Sequence, residues 1–207
     1  MSLLDFFFSP KKTNGLIKYF GLENWWFSEF STEERRYITE TFQPLGSSSE
    51  LLTTGDLSYT SQTAVGLLLD LAGCFSKEKD RPIAYKFMKK TEELNETKGS
   101  VLDLHFYYGQ KIALYYKDRE SPGCLEKAIE ACKKQIELAE KAAKSFRRQY
   151  KDSPLPSHKG YQQLAIILEK QGKFDETIEL CRRSQKQGWT GDWAKRIERC
   201  CKKANRA

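Results

Sequence analysis

Residues 160 to 184 read Gly160-Tyr-Gln-Gln-Leu-Ala-Ile-Ile-Leu-Glu-Lys-Gln-Gly172-Lys-Phe-Asp-Glu-Thr-Ile-Glu-Leu-Cys-Arg-Arg-Ser184, and this stretch decides the fold. Helix signals run to Gln171, Gly172 breaks the pattern, and a second apolar period begins at Phe174. The stretch therefore predicts a helical hairpin. Leu164 beside Ala165 offers one large and one small side chain to a close helix crossing, and the small Thr177 answers from the second helix. Gly172 supplies the left-handed backbone that ends the first helix, and Phe174 fills the wedge below the turn.

Nine positions, Tyr161, Leu164, Ala165, Leu168, Gly172, Phe174, Thr177, Cys181 and Ser184, fall in the order of a tetratricopeptide repeat, which this hairpin closely resembles. Two positions depart from that pattern: Thr177 stands where alanine is usual, and Trp189 where the repeat-ending proline would be. Upstream, Ile112, Ala113, Tyr116, Leu125, Ala128 and Cys132 make a second copy around the turn at Pro122-Gly123. Val65, Gly66, Leu69, Ala84 and Met88 make a third, with Pro82 suited to a first helical turn. Ala84 to Ala128 spans 44 residues and Ala128 to Thr177 spans 49. A regular repeat takes about 34, so these are elongated. The excess is placed in the helix from Leu125, which is expected to run to about Tyr150 before Pro154 and Pro156 stop it.

The resulting expectation is an all-α, TPR-like α-solenoid of about three hairpins, at residues 60–95, 103–150 and 159–187, without a sheet. Residues 58–207 form the repeat domain. Its closing helix starts near Asp192, with Trp193 and Ile197 covering the last hairpin and lysines at its end. Residues 1–57 form an N-terminal helical cap holding 11 of the 26 aromatic residues, Phe6-Phe7-Phe8 and Trp25-Trp26-Phe27 among them. A helix is expected from Ser31, with acids in its first turn, to about Phe42 before Pro44. The aromatic cluster is read as packing, with an exposed partner or membrane-surface patch as the alternative. Loops are expected at Gly46 to Ser49, Thr54 to Asp56, Ser121 to Gly123, 152–156 and Gly188 to Gly191.

The 207 residues are 39% hydrophobic, 13% aromatic and 30% charged, which describes a soluble globular chain. No stretch reaches the roughly 18 apolar residues of a membrane span. The first residues, Met1 to Pro10, have their basic pair Lys11-Lys12 after the apolar run instead of before it, unlike a signal peptide. Six cysteines without a C-x-x-C pair, far from His105 and His158, point to reduced thiols in a cytoplasmic protein with no metal site. No Gly-x-Ser-x-Gly, His-Glu-x-x-His or phosphate-cradling glycine motif is present, so no catalytic residue, cofactor or enzymatic activity is expected. The acidic pairs Glu33-Glu34, Glu92-Glu93 and Asp175-Glu176 are adjacent in sequence and diverge on a helix.

The net charge of +7 is unevenly placed: residues 1–100 carry 12 basic and 14 acidic side chains, residues 101–207 carry 23 and 14. Two readings follow. The repeat resemblance implies a scaffold whose concave face holds a protein or peptide partner, and carries over Tyr107, Gln110, Lys117, Lys159 and Gln162 as groove residues. Lysines and amides there suit an acidic or carboxylate-ended peptide. The alternative is a nucleic-acid binder using the basic half, with Tyr107, Tyr108, Tyr115, Tyr116 and Trp189 as stacking rings.

Overall fold

The computed structural model describes residues 13–43 and 49–205. Phe6-Phe7-Phe8, Lys11-Lys12, Pro44 and the loop at Gly46 to Ser48 lie outside the described residues. Among the described residues eleven α-helices follow one another: α1 Gly15–Tyr19, α2 Glu23–Glu29, α3 Thr32–Thr41, α4 Ala64–Cys74, α5 Arg81–Lys98, α6 Val101–Lys117, α7 Cys124–Glu137, α8 Ala139–Gln149, α9 Lys159–Lys170, α10 Phe174–Gln187 and α11 Trp193–Ala204. Among the described residues there is no strand, only an isolated bridge between Ser157 and Thr190. The protein is all-α. No helix among the described residues is long and apolar enough to cross a membrane.

The chain forms two compact units, residues 1–87 and 88–207. Helix α4 and the start of α5 share a core with the aromatic N-terminal helices. Phe87 is fully buried and packs on Trp25, Phe30 and Phe75 at ring distances of 5.9, 5.1 and 6.1 Å. Trp26, Phe30 and Phe42 are likewise buried, so these aromatics serve as core, while Tyr19 and Tyr37 remain exposed. Helix α3 begins as its sequence requires. Ser31 Oγ accepts from Glu34 N–H and the Glu34 carboxylate accepts from Ser31 N–H, a reciprocal cap. Glu34 also pairs with Lys86 at 2.8 Å, tying α3 to α5.

In the second unit the long helix expected from Leu125 to Tyr150 is divided. Leu138 ends α7 and starts α8 with φ −85° and ψ −9°. No glycine or proline announces the division. Buried Ala139, Ala142 and Ala143 follow the break, and their small side chains let α8 lie close to the core.

The packing order comes from specific contacts. His105, in the first turns of α6, lies 5.0 Å ring to ring from His158, the N-cap of α9. At the other ends, Lys170 of α9 donates to the Tyr116 hydroxyl of α6 at 3.3 Å. Helices α6 and α9 therefore run parallel and side by side, each followed by an antiparallel partner, α7 and α10. Gly172 adopts φ +74°, as the turn between α9 and α10 demands. Tyr161, Ala165, Thr177, Cys181 and Ser184 are fully buried and Leu164 nearly so, and Thr177 Oγ1 donates to the Lys173 carbonyl at 2.8 Å. The linker before α9 is strapped down by Thr190, whose hydroxyl donates to the Leu155 carbonyl at 2.6 Å.

Helix α11 closes the unit with Trp193 and Cys200 buried and Ile197 half-buried against the core. The Asp192 carboxylate makes no side-chain cap and lies 3.6 Å from Arg196. What fixes α11 is Glu169. Its carboxylate receives Arg196 at 2.9 Å, both Nε and Nη2 of Arg199 at 2.8 and 2.9 Å, and Lys203 at 2.9 Å. The bidentate Arg199 pair, seconded by Lys203, holds the carboxyl down at about 2.

Candidate functional site

On α6, residues 106, 110, 113 and 117 are four, three and four apart and so form one stripe. The residues beside that stripe are committed to neighbours: His105 and Tyr116 face α9, and Tyr107 is buried against Glu92 and Lys111. Phe106 is 51% exposed and Lys117 is exposed, with Gln110 and Ala113 half-buried between them. On α9 the corresponding stripe is Lys159, Gln163, Ile166 and Lys170, exposed at both ends and half-buried in the middle. Two parallel stripes on adjacent helices make one open face, with cations at Lys117, Lys159 and Lys170 and amides between.

Four of the five carried-over residues relate to this face. Gln110, Lys117 and Lys159 lie on it, and Gln162 sits at its flank toward Glu169. Tyr107 does not belong to it. At 2% exposure its ring is core, and its hydroxyl accepts from Lys111 at 3.0 Å. The repeat position that presents a side chain in the last hairpin is turned one step away in the middle one, and the exposed ring there is Phe106. Sequence spacing alone missed Phe106, Gln163 and Lys170. Gln163 is notable because its Nε2 is shut off from solvent with no acceptor.

Beneath the face lies a polar and aromatic layer that holds α6, α7 and α9 in register. Gln135 of α7, 1% exposed, donates through Nε2 to the His105 carbonyl at 2.7 Å and accepts the Gly160 N–H at 2.6 Å. Gly160 has no room for a side chain, since a Cβ would stand 2.8 Å from the Cys132 carbonyl oxygen. His158 Nδ1 accepts from Tyr161 N–H at 3.3 Å, capping α9. The His105 ring stacks on Trp189 at 5.6 Å, and Trp189 is itself 2% exposed. The two histidines are thus core. Burial pushes both imidazoles well below their ordinary range, and their mutual repulsion lowers His158 further.

That burial gives a pH dependence with a definite sign. Both rings stay neutral in the folded protein but bind protons in the unfolded chain as pH falls through 6.5, so stability is lost below that value. Glu169 stays ionised to about 2, so a window between pH 7 and 5 isolates the histidines. The melting temperature is expected to fall by several degrees from pH 7 to pH 5. His105→Phe, which keeps a ring on Trp189 and removes one titrating group, should flatten that slope, and a wild-type melting temperature constant across the window contradicts the assignment.

The tyrosines proposed as stacking platforms are engaged within the protein. Lys127 lies 5.4 Å over the Tyr115 ring, and Arg119 and Lys170 lie 4.9 and 6.0 Å from that of Tyr116. Tyr108 and Tyr115 line a hollow of about 250 Å³ with Lys111, Lys127 and Lys134. Among the described residues no group of three His, Cys, Asp or Glu is placed to hold a metal ion. Burial raises the Cys132 thiol to about 12 and the Cys181 thiol to about 11, which leaves both protonated near neutral pH.

No family model, curated protein or solved structure matches the chain. The resemblance to tetratricopeptide repeats therefore rests on the residues alone.

Proposed function

We propose that the protein is a non-enzymatic scaffold that holds a protein or peptide partner on the open face of α6 and α9, within a TPR-like stack. The observation that carries this reading is the pairing of two parallel first helices whose outward stripes, Phe106 to Lys117 and Lys159 to Lys170, are exposed at their ends while His105, Tyr107 and His158 beside them are buried. Amides along such a face can bond an extended backbone, and its lysines favour an acidic partner. A nucleic-acid partner is the second reading, carried by the basic half of the chain. It is the weaker one because Tyr107 and Trp189 are buried and Tyr115 and Tyr116 already lie under the protein's own cations.

The test is affinity capture with the intact chain, followed by the same capture with charge-reversed variants. Lys117→Glu with Lys159→Glu should abolish retention of the partner while leaving the helical circular dichroism and melting temperature nearly unchanged, since exposed lysines contribute little to folding. Lys127→Glu with Lys134→Glu, on α7, should retain it. The reverse result places the partner on the second helices and removes this reading of the site.

A further inference from the structure

We propose that the cleft between α8 and α10 is a second binding site, which takes an acidic segment of a partner polypeptide through its carboxylates. The proposal stands independently of the face on α6 and α9. The cleft has a volume of about 400 Å³. Lys144 and Arg147 project into it from α8, Arg183 and Lys186 from α10, and Ala143 lies at its base. Each pair is three residues apart, so the cations form two rungs about one helical turn apart, roughly 4.5–5.4 Å. Among the described residues none of the four lies within ion-pair distance of a carboxylate. The cleft gathers four cations around one hollow.

Arg147 is the organised member of the four. Its Nη2 donates to the Gln187 carbonyl at 2.9 Å, beside Gly188 at φ +86°. Gln187 is in turn fixed by the Tyr161 hydroxyl and the Trp189 indole N–H, both donating to its Oε1 at 3.1 Å. One guanidinium edge is thereby anchored to the core while other donors remain for a planar anion, the arrangement in which arginine binds carboxylate best. A single carboxylate, Glu140, lies at the rim. It would repel the unbroken phosphate run of a nucleic acid, whereas a peptide can set a neutral residue beside it. No aromatic ring lines the cleft, so bases would find nothing to stack on. Both features favour an acidic peptide over a single strand.

The experiment is fluorescence anisotropy on the full chain with three rhodamine-labelled probes: a dodecapeptide of alternating Glu and Ser, the same peptide with Gln for Glu, and a twelve-nucleotide thymidine strand. At about 50 mM salt the Glu peptide should bind saturably and weaken markedly by about 300 mM, while the Gln peptide should not bind. Arg183→Glu with Lys186→Glu should weaken the Glu peptide at least roughly tenfold with unchanged helical content, as both side chains are exposed. Lys117→Glu with Lys159→Glu should leave that binding intact. Failure of the Glu peptide to bind, tighter binding of the thymidine strand, or indifference to the Arg183 and Lys186 reversal overturns the proposal. Loss through Lys117 and Lys159 alone overturns it too, and in that case favours the α6 and α9 face.

Discussion

Leu164→Asp is expected to unfold the last hairpin and with it α11. Leu164 is 8% exposed and belongs to the core that joins Ile112, Ala131 and Cys132 to Tyr161 and Cys181. Truncating a leucine in such a place costs about 2–5 kcal/mol, and a carboxylate without a partner adds the penalty of burying charge. The sum exceeds what one hairpin retains against a marginal total stability. The expected result is a loss of helical circular dichroism at 25 °C and rapid proteolysis after residue 150, with residues 13–98 still protected. Leu164→Met, which keeps volume, should cost less than about 1.5 kcal/mol. If Leu164→Asp melts like the wild type, the close crossing of α9 and α10 is misplaced.

Gln135→Leu is expected to give the second-largest effect, because one amide serves two backbones. Its loss leaves the Gly160 N–H, in the first turn of α9, buried with no helical acceptor, and removes the donor to the His105 carbonyl. An orphaned buried group costs about 1–3 kcal/mol, and each kcal/mol lowers the melting temperature of a unit of this size by roughly 4 °C. Gln135→Glu separates this cause from simple packing. The carboxylate keeps the acceptor for Gly160 but cannot donate to His105 and buries a charge, so at pH 7 it should be more damaging than leucine. Equal melting of wild type and Gln135→Leu would show that the amide does not hold α6, α7 and α9 in register.

Local rules carried the reading of the sequence as far as they reach. Gly172, the alternation of large Leu164 with small Ala165, and the buried stripe of Thr177, Cys181 and Ser184 follow from spacing within one hairpin, and each is found where the spacing puts it. Ser31 and Glu34 cap α3 for the same reason. What spacing cannot reveal is which distant residues meet. His105 and His158 are 53 positions apart and share a ring contact. Gln135 reads as one more polar residue of a lysine-rich helix, yet it is 1% exposed. The division at Leu138 has no glycine, proline or cap residue to mark it. Of the proposed face, Gln110, Lys117 and Lys159 were named through the repeat resemblance, and Lys170 was not. Tyr107 was misdirected because the rotation of α6 against its neighbours is set by tertiary packing, which buries Tyr107 and exposes Phe106.

The same distinction governs charge. The excess of cations after residue 100 is plain in the composition, but composition does not say which are consumed internally. Glu169 alone absorbs Arg196, Arg199 and Lys203. Lys144, Arg147, Arg183 and Lys186 instead gather around one cleft, a grouping that composition does not show.

The account's central claim, that the outward stripes of α6 and α9 hold the partner, is tested most directly by hydrogen exchange on the intact chain with and without a saturating captured partner. The claim predicts new protection concentrated in residues 106–117 and 159–170, and its absence when Lys117 and Lys159 are both reversed. Protection confined to α8 and α10, or unchanged exchange across α6 and α9 in the bound state, contradicts it.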